Sequence, residues 1–128
     1  MKRNNNIYYE WIAKGDNDYE TASILYKEEG PTDTLCSHCQ QSVEKYLKAY
    51  LTYLKIHFEK IHDLRILVKL CAKKDSEILK FIDKLRILDA YYIESRYPPI
   101  LVDYSREECK KALNIVKEII EYINNKLT

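Results

Sequence analysis

Glycine is nearly missing from this chain, with two among 128 residues, and proline supplies only three more chain-breaking positions. Folds rich in tight turns draw on glycine for left-handed and crowded backbone positions. Its scarcity excludes an all-β architecture and predicts long helices joined by few connections. No apolar run approaches the ~18 residues that span a membrane. The opening segment MKRNNNIYYEW has no apolar stretch of the kind that leads a secreted chain. No membrane association and a cytoplasmic location are therefore expected. Charge of one sign is not in excess either: Lys plus Arg is 21 and Asp plus Glu is 20. Without a global basic field, any contact with RNA or a nucleotide must be local. A phosphate-cradling glycine loop, a Ser/His/Asp set and a metalloprotease helix are all absent. No general catalytic signature and no cofactor follow from the motifs.

What is present suits one domain over 1–128 with a core of ordinary size. Twelve tyrosines are conspicuous, and tyrosine is favoured where a surface is both buried and wet, as at interfaces. The four cysteines are expected to be reduced thiols and not a disulfide framework.

Apolar periodicity predicts five helices, four long and one short, in an all-α, up-and-down antiparallel bundle. The first runs from about Tyr8 to Tyr26 and stops at EEGPTD, with Gly30 and Pro31 as the terminators. Asp33 is placed to cap the second, whose inner arc takes Leu35, Cys36, Cys39, Val43, Tyr46, Leu47, Tyr50, Leu51 and Leu54. Asp63, after KIH, caps the short third helix of Leu64, Leu67, Val68 and Cys71. The fourth begins near Asp75 or Ser76 and turns Ile78, Ile82, Leu85, Leu88 and Tyr92 inward, until Pro98 and Pro99 forbid continuation. Ser105 and Glu108 form the S-x-x-E pattern of a capping box, opening a fifth helix that reaches Leu127.

Some polar residues fall on apolar arcs. Gln40 lies among Leu47 and Leu51, and a buried amide without partners costs ~1–3 kcal/mol. Asp89 and Arg96, two turns apart, share the side of Leu85, Leu88 and Tyr92. This predicts a polar cluster of Asp89 and Arg96, with Gln40 from the facing helix. Such a cluster either fixes helix register or lines a cleft. On the opposite side of the second helix stand His38, Gln41, Lys45, Lys48 and Thr52. His38 with Lys45 and Lys48 is a candidate anion contact.

Cys36-x2-Cys39 with His57-x4-His62 has the look of a zinc set. Its central gap is longer than that of a zinc finger, and both cysteines lie on the buried arc, so no metal site is expected.

Three blocks carry a family resemblance. WIAKGDNDYETA (11–22), with Trp11, Asp18 and Ala22, resembles the opening helix of the HEPN domain family. SHCQQSVEKYLKAYL (37–51), with His38, Gln40, Gln41, Glu44, Lys45 and Lys48, is similar to its second helix. KIHDLRILV (60–68) and YYIESRYP (91–98) resemble its later signatures. The resemblance implies a bundle of four long helices plus a short one, commonly a homodimer. It also implies a bacterial or archaeal setting beside a minimal nucleotidyltransferase, in pairs read as toxin–antitoxin modules. Many members are metal-independent ribonucleases in which an arginine is followed at short spacing by a histidine, two copies joining at the dimer interface. Here Leu101, Val102 and Asp103 stand where that histidine would fall, and none offers an imidazole. Tyr104 matches a tyrosine that the partner enzyme of some toxins modifies with adenylate.

Three readings follow. In the first the chain binds a nucleotidyltransferase, a nucleotide, or both. Arg96 then grips a phosphate, Tyr97 or Tyr92 stacks on a base, and His38, Lys45 and Lys48 add charge. In the second it is a ribonuclease toxin with a dimer-interface site around Arg96, and His38 or His62 supplies the imidazole. In the third it is a structural interaction module with Arg96 and Asp89 as internal glue.

Overall fold

A computed structural model of the protein describes residues 7–95 and 103–127. Among these the elements are α1 (Ile7–Lys27), α2 (Thr32–Tyr53), α3 (Leu64–Cys71), a 3-10 helix (Ser76–Phe81), α4 (Ile82–Ser95) and α5 (Arg106–Lys126). Four long helices and one short one are present, and no strand occurs among the described residues. Trp11 meets Lys48 and Asp18 meets His38, so α1 and α2 run antiparallel. Tyr91 meets Glu108 and Lys84 meets Glu118, so α4 and α5 do too.

Helix α2 is the axis of the bundle and packs on all four other helices. Thirteen of its residues are buried, among them Tyr46, Leu47 and Leu51 beside Leu64, Leu85, Leu88, Val116, Ile119 and Ile123 of its neighbours. The face expected to be exposed, with His38, Gln41, Lys45 and Lys48, lies under α1. Lys48 is only 6% exposed. Helical periodicity sorts residues by polarity and is blind to a neighbour that covers a polar face.

The termini follow local chemistry with three departures. Asp63 caps α3 as expected, accepting from the backbone N–H of Arg65 and Ile66. Ser105 caps α5 by accepting from Glu108 N–H at 3.0 Å. The Glu108 carboxylate, however, accepts from Tyr91 Oη at 3.1 Å and so ties α5 to α4. Asp33 is not the cap of α2, because Pro31 holds that position and Asp33 sits in the first turn. Gly30 does not supply the left-handed residue after α1; Glu29 does, with φ 55°. Gly30 N–H then reaches back to Leu25 O at 2.8 Å, a Schellman closure. Glycine is needed there for room, since a Cβ would sit 2.6 Å from Leu25 Cδ2.

Ile78, Leu85 and Leu88 are buried as expected. A 3-10 segment advances about 120° per residue against 100° for an α-helix, and Ser76–Phe81 is of that kind, so Phe81 is buried where it meets α4 and Ile82 only half-buried. At the far end Tyr91 is buried at 3% exposure, while Tyr92 is only half-buried.

Gly15 sets the separation of α1 and α2. Its carbonyl accepts from Ser42 Oγ at 2.8 Å, and a Cβ would stand 2.7 Å from the Tyr46 ring. That ring is held in place by Tyr46 Oη donating to Asp16 at 2.5 Å. Helix propensity alone would make Gly15→Ala stabilising by about 1 kcal/mol. Overpacking against Tyr46 costs about 1–3 kcal/mol. The expected outcome in urea melts is a net loss of up to about 2 kcal/mol, and a gain would mean that the α1–α2 contact is loose.

Candidate functional site

The residues singled out from the sequence fall into two separate groups. In the first, His38 Nδ1 lies 2.9 Å from Asp18 Oδ1 and Lys45 Nζ lies 3.6 Å from Asp18 Oδ2. One carboxylate of α1 thus answers both cations across the α1–α2 seam. Lys48 does not join them. Its Nζ donates to Glu44 Oε2 at 2.8 Å and lies 5.4 Å from the centre of the Trp11 ring. The three cations predicted to act together on an anion are therefore divided between two internal carboxylates.

The second group is built around the segment His62–Arg65, between α2 and α4. Gln40, fully buried, donates through Nε2 to His62 O at 3.0 Å. Its Oε1 has no hydrogen-bond partner among the described residues. From the other side Asp89 accepts from Leu64 N–H at 2.8 Å and Arg65 N–H at 3.4 Å, with Arg65 Nε 3.4 Å away. Gln40 and Asp89 are thus brought to one place, as the sequence predicts. They do not bond each other; they clamp the same four-residue segment and set the start of α3.

That clamp positions His62. Its Nδ1 is 3.0 Å from the Glu44 Oε2 that also holds Lys48. Its ring stacks on Tyr92, with centroids 5.2 Å apart and 17° between planes. Glu44 is buried, whereas the His62 side chain is 48% exposed. The sequence motif KIHD pointed to the Asp63 cap and to His62 as a spare imidazole. It gave no sign of Glu44, which reads as a surface residue on a helical wheel.

Electrostatics at the clamp are those of two neighbouring carboxylates. Burial pushes Asp89 up to about 6, and Asp63 beside it adds to the rise against the pull of the Leu64 N–H. Burial would raise Asp63 too, but hydrogen bonds from Asp89 and from the Ile66 and Arg65 amides outweigh it and hold Asp63 low. The pair therefore shares one proton in mild acid, held on Asp89.

The remaining candidates separate cleanly. Cys36 and Cys39 lie in the core as their helix face predicts. Burial, with Cys109 beside it, pushes the Cys39 thiol up to about 12. His57 is exposed and paired with Glu59. No group of three or more His, Cys, Asp or Glu side chains among the described residues is placed to hold a metal. Tyr104 is half-buried, edge-on to Tyr91 at 4.9 Å, with its backbone N–H on Thr32 Oγ1. Arg96 and Tyr97, as well as Leu101 and Val102, lie outside the described residues. No described helix is long and apolar enough to cross a membrane.

The fold and sequence have known counterparts. A family model described as the HEPN domain matches residues 8–126. The crystal structure of ST0689, an archaeal HEPN homologue, superposes with a TM-score of 0.75 at 20% identity, covering 94% of this chain and 98% of that one. TT1696 from Thermus thermophilus superposes with a TM-score of 0.80 at 23% identity, covering 95% and 99%. A search of curated proteins gives no match.

Asp89 makes stability depend on pH with a defined sign. Its folded pKa lies above the ordinary carboxylate value, so the folded state holds the extra proton. The contribution is fully present below about pH 4 and is lost as pH rises through about 6. Asp89→Asn is insensitive to this titration. Between pH 4 and 7 the variant should gain about 2 kcal/mol relative to wild type, read from denaturant melts at the two pH values. Parallel stability curves for the two proteins would show that Asp89 is ionised throughout.

Proposed function

The chain belongs to the HEPN domain family, and we propose that it is the binding component of a nucleotidyltransferase–HEPN pair of toxin–antitoxin type. In this reading it takes a nucleotide, its enzyme partner, or both, at the corner where α2, the 62–65 segment and α4 meet, with Arg96 as a further proposed contact. The observation that carries the proposal is the assembly at that corner of Glu44, His62 and Tyr92, with His62 half exposed. Elsewhere the cations are compensated internally: His38 and Lys45 by Asp18, and Lys48 by Glu44. Asp89 is also occupied, by two amides and Arg65. This supports an external anion over Asp89 as the partner of Arg96, whose fork suits a phosphate or a partner's carboxylate. Tyr97 is the proposed stacking neighbour. Tyr104 is the proposed acceptor if the partner enzyme transfers adenylate.

The absence of a histidine at Leu101, Val102 and Asp103 favours binding over RNA cleavage. The ribonuclease alternative keeps one specific support, which is the Glu44-held imidazole of His62. His38 is held in the same way by Asp18, but its side chain is 27% exposed against 48% for His62.

Self-association belongs to the same proposal. Ile66 and Ile87, on the adjacent helices α3 and α4, are 48% and 37% exposed, and the tyrosine content suits a wet interface. Sedimentation at micromolar concentration should give a dimer of about twice the 15.3 kDa chain mass. A monomer under those conditions would rule out a shared site.

Arg96→Ala separates an external partner from an internal one. With an external anion, stability should change by less than about 1 kcal/mol, while affinity for nucleotide or nucleotidyltransferase falls at least tenfold, about 1.4 kcal/mol. Loss of about 3–5 kcal/mol of stability with binding unchanged would make Arg96 a structural ion-pair member.

A further inference from the structure

The hydrogen bond behind His62 determines which of its ring nitrogens faces outward with a lone pair. Glu44 Oε2 already accepts from Lys48 Nζ at 2.8 Å, so toward His62 Nδ1, at 3.0 Å, it acts again as an acceptor. Nδ1 must therefore carry the proton. In the neutral imidazole Nε2 is then left as an acceptor, and it makes no hydrogen bond to any described residue. The Glu44 hydrogen bond favours this orientation of the ring, Tyr92 holds its plane by stacking, and Gln40 anchors the backbone beneath it. The same corner contains a second acceptor without a donor, Oε1 of the fully buried Gln40. A buried donor, Arg65 Nε, is likewise without a hydrogen-bond partner among the described residues, so the group this corner presents to the outside is the imidazole nitrogen of half-exposed His62 beside an aromatic ring. Flat rings stack on such a surface, and a donor group attached to one completes the vacant hydrogen bond.

We propose that His62 Nε2 accepts a hydrogen bond from a ribose hydroxyl of the bound nucleotide, with Glu44 as the positioning residue that fixes the tautomer. This rests on the nucleotide-binding reading above and adds to it a preference for ribonucleotides over their deoxy forms. An acceptor that the bound ligand covers, and that the deoxy form leaves unpaired, is the source of the discrimination. The assignment also gives His62 a role separate from that of Arg96, whose proposed partner is the phosphate.

Calorimetric titration of the full chain with ATP, 2′-deoxy-ATP, 3′-deoxy-ATP and inosine triphosphate tests it. Wild type should bind one of the two deoxy forms at least tenfold more weakly than ATP. His62→Ala should weaken ATP binding by a similar factor and bring the ribo-to-deoxy ratio to about one. His62→Gln, which carries an acceptor near the place of Nε2, should recover part of the ratio, a result that a merely structural role would not produce. His62 is half exposed, so both variants are expected to keep the helical circular dichroism of wild type. An unchanged ratio in His62→Ala would overturn the assignment and leave nucleotide binding standing. Discrimination confined to inosine triphosphate would place the donor on the base and overturn the ribose assignment. No binding of ATP by wild type would remove the nucleotide reading and this inference together.

Discussion

Helix α2 is enclosed by its neighbours along most of its length, so each polar side chain it carries must find a partner inside the protein. A charge left unpaired in such surroundings costs several kcal/mol. Most of the polar architecture of the molecule answers this one constraint. Ser42 bonds the Gly15 carbonyl, His38 and Lys45 share Asp18, and Lys48 rests on Glu44 under the Trp11 ring. Because Gly15, Asp18 and Trp11 come from α1, the spacing of α1 and α2 is set by polar satisfaction as much as by apolar contact. A glycine at the closest approach is the simplest way to meet both demands.

The same constraint turns a structural requirement into a site. Glu44 has to be buried to hold Lys48, and its second hydrogen-bonding direction then faces the 62–65 segment. An imidazole placed there acquires a fixed tautomer and a fixed plane. The clamp of Gln40 on one side and Asp89 on the other brings His62 to that place and gives α3 its start. Removing either clamp residue would disturb the imidazole without touching it. The positioning of His62 thus reaches back to buried residues of two long helices, which hold a geometry more firmly than a surface loop does.

Most of the fold was legible in the sequence because it depends on local signals. Scarce glycine, the apolar spacing of α2 and α5, Asp63 at the start of α3 and Ser105 at the start of α5 all act within a turn or two of chain. The departures arise where a distant element covers a face and where the local backbone takes another cap. Lys48 was placed in solvent because no local signal announces that α1 will cover it. Asp33 lost the cap of α2 to Pro31, and Glu29, not Gly30, took the left-handed position. Tyr91 is buried beside half-buried Tyr92, its hydroxyl donating to Glu108 of α5.

The candidate site shows the same division. Gln40 and Asp89 were recognisable as buried polar residues, since their neighbours on each helix are apolar. Their partner was not, because it is the main chain of a connecting segment, which has no side-chain signature. Glu44 was hidden for a further reason. Among i, i+4 pairs, Glu44–Lys48 has the appearance of an ordinary solvated helix pair, worth a few tenths of a kcal/mol. Burial changes what the same two residues do. In water the pair is a weak ornament of the helix, whereas inside the bundle its carboxylate must satisfy further donors, and the donor that meets it is His62. The geometry of this corner therefore derives from the desolvation of a pair that the sequence presents as commonplace.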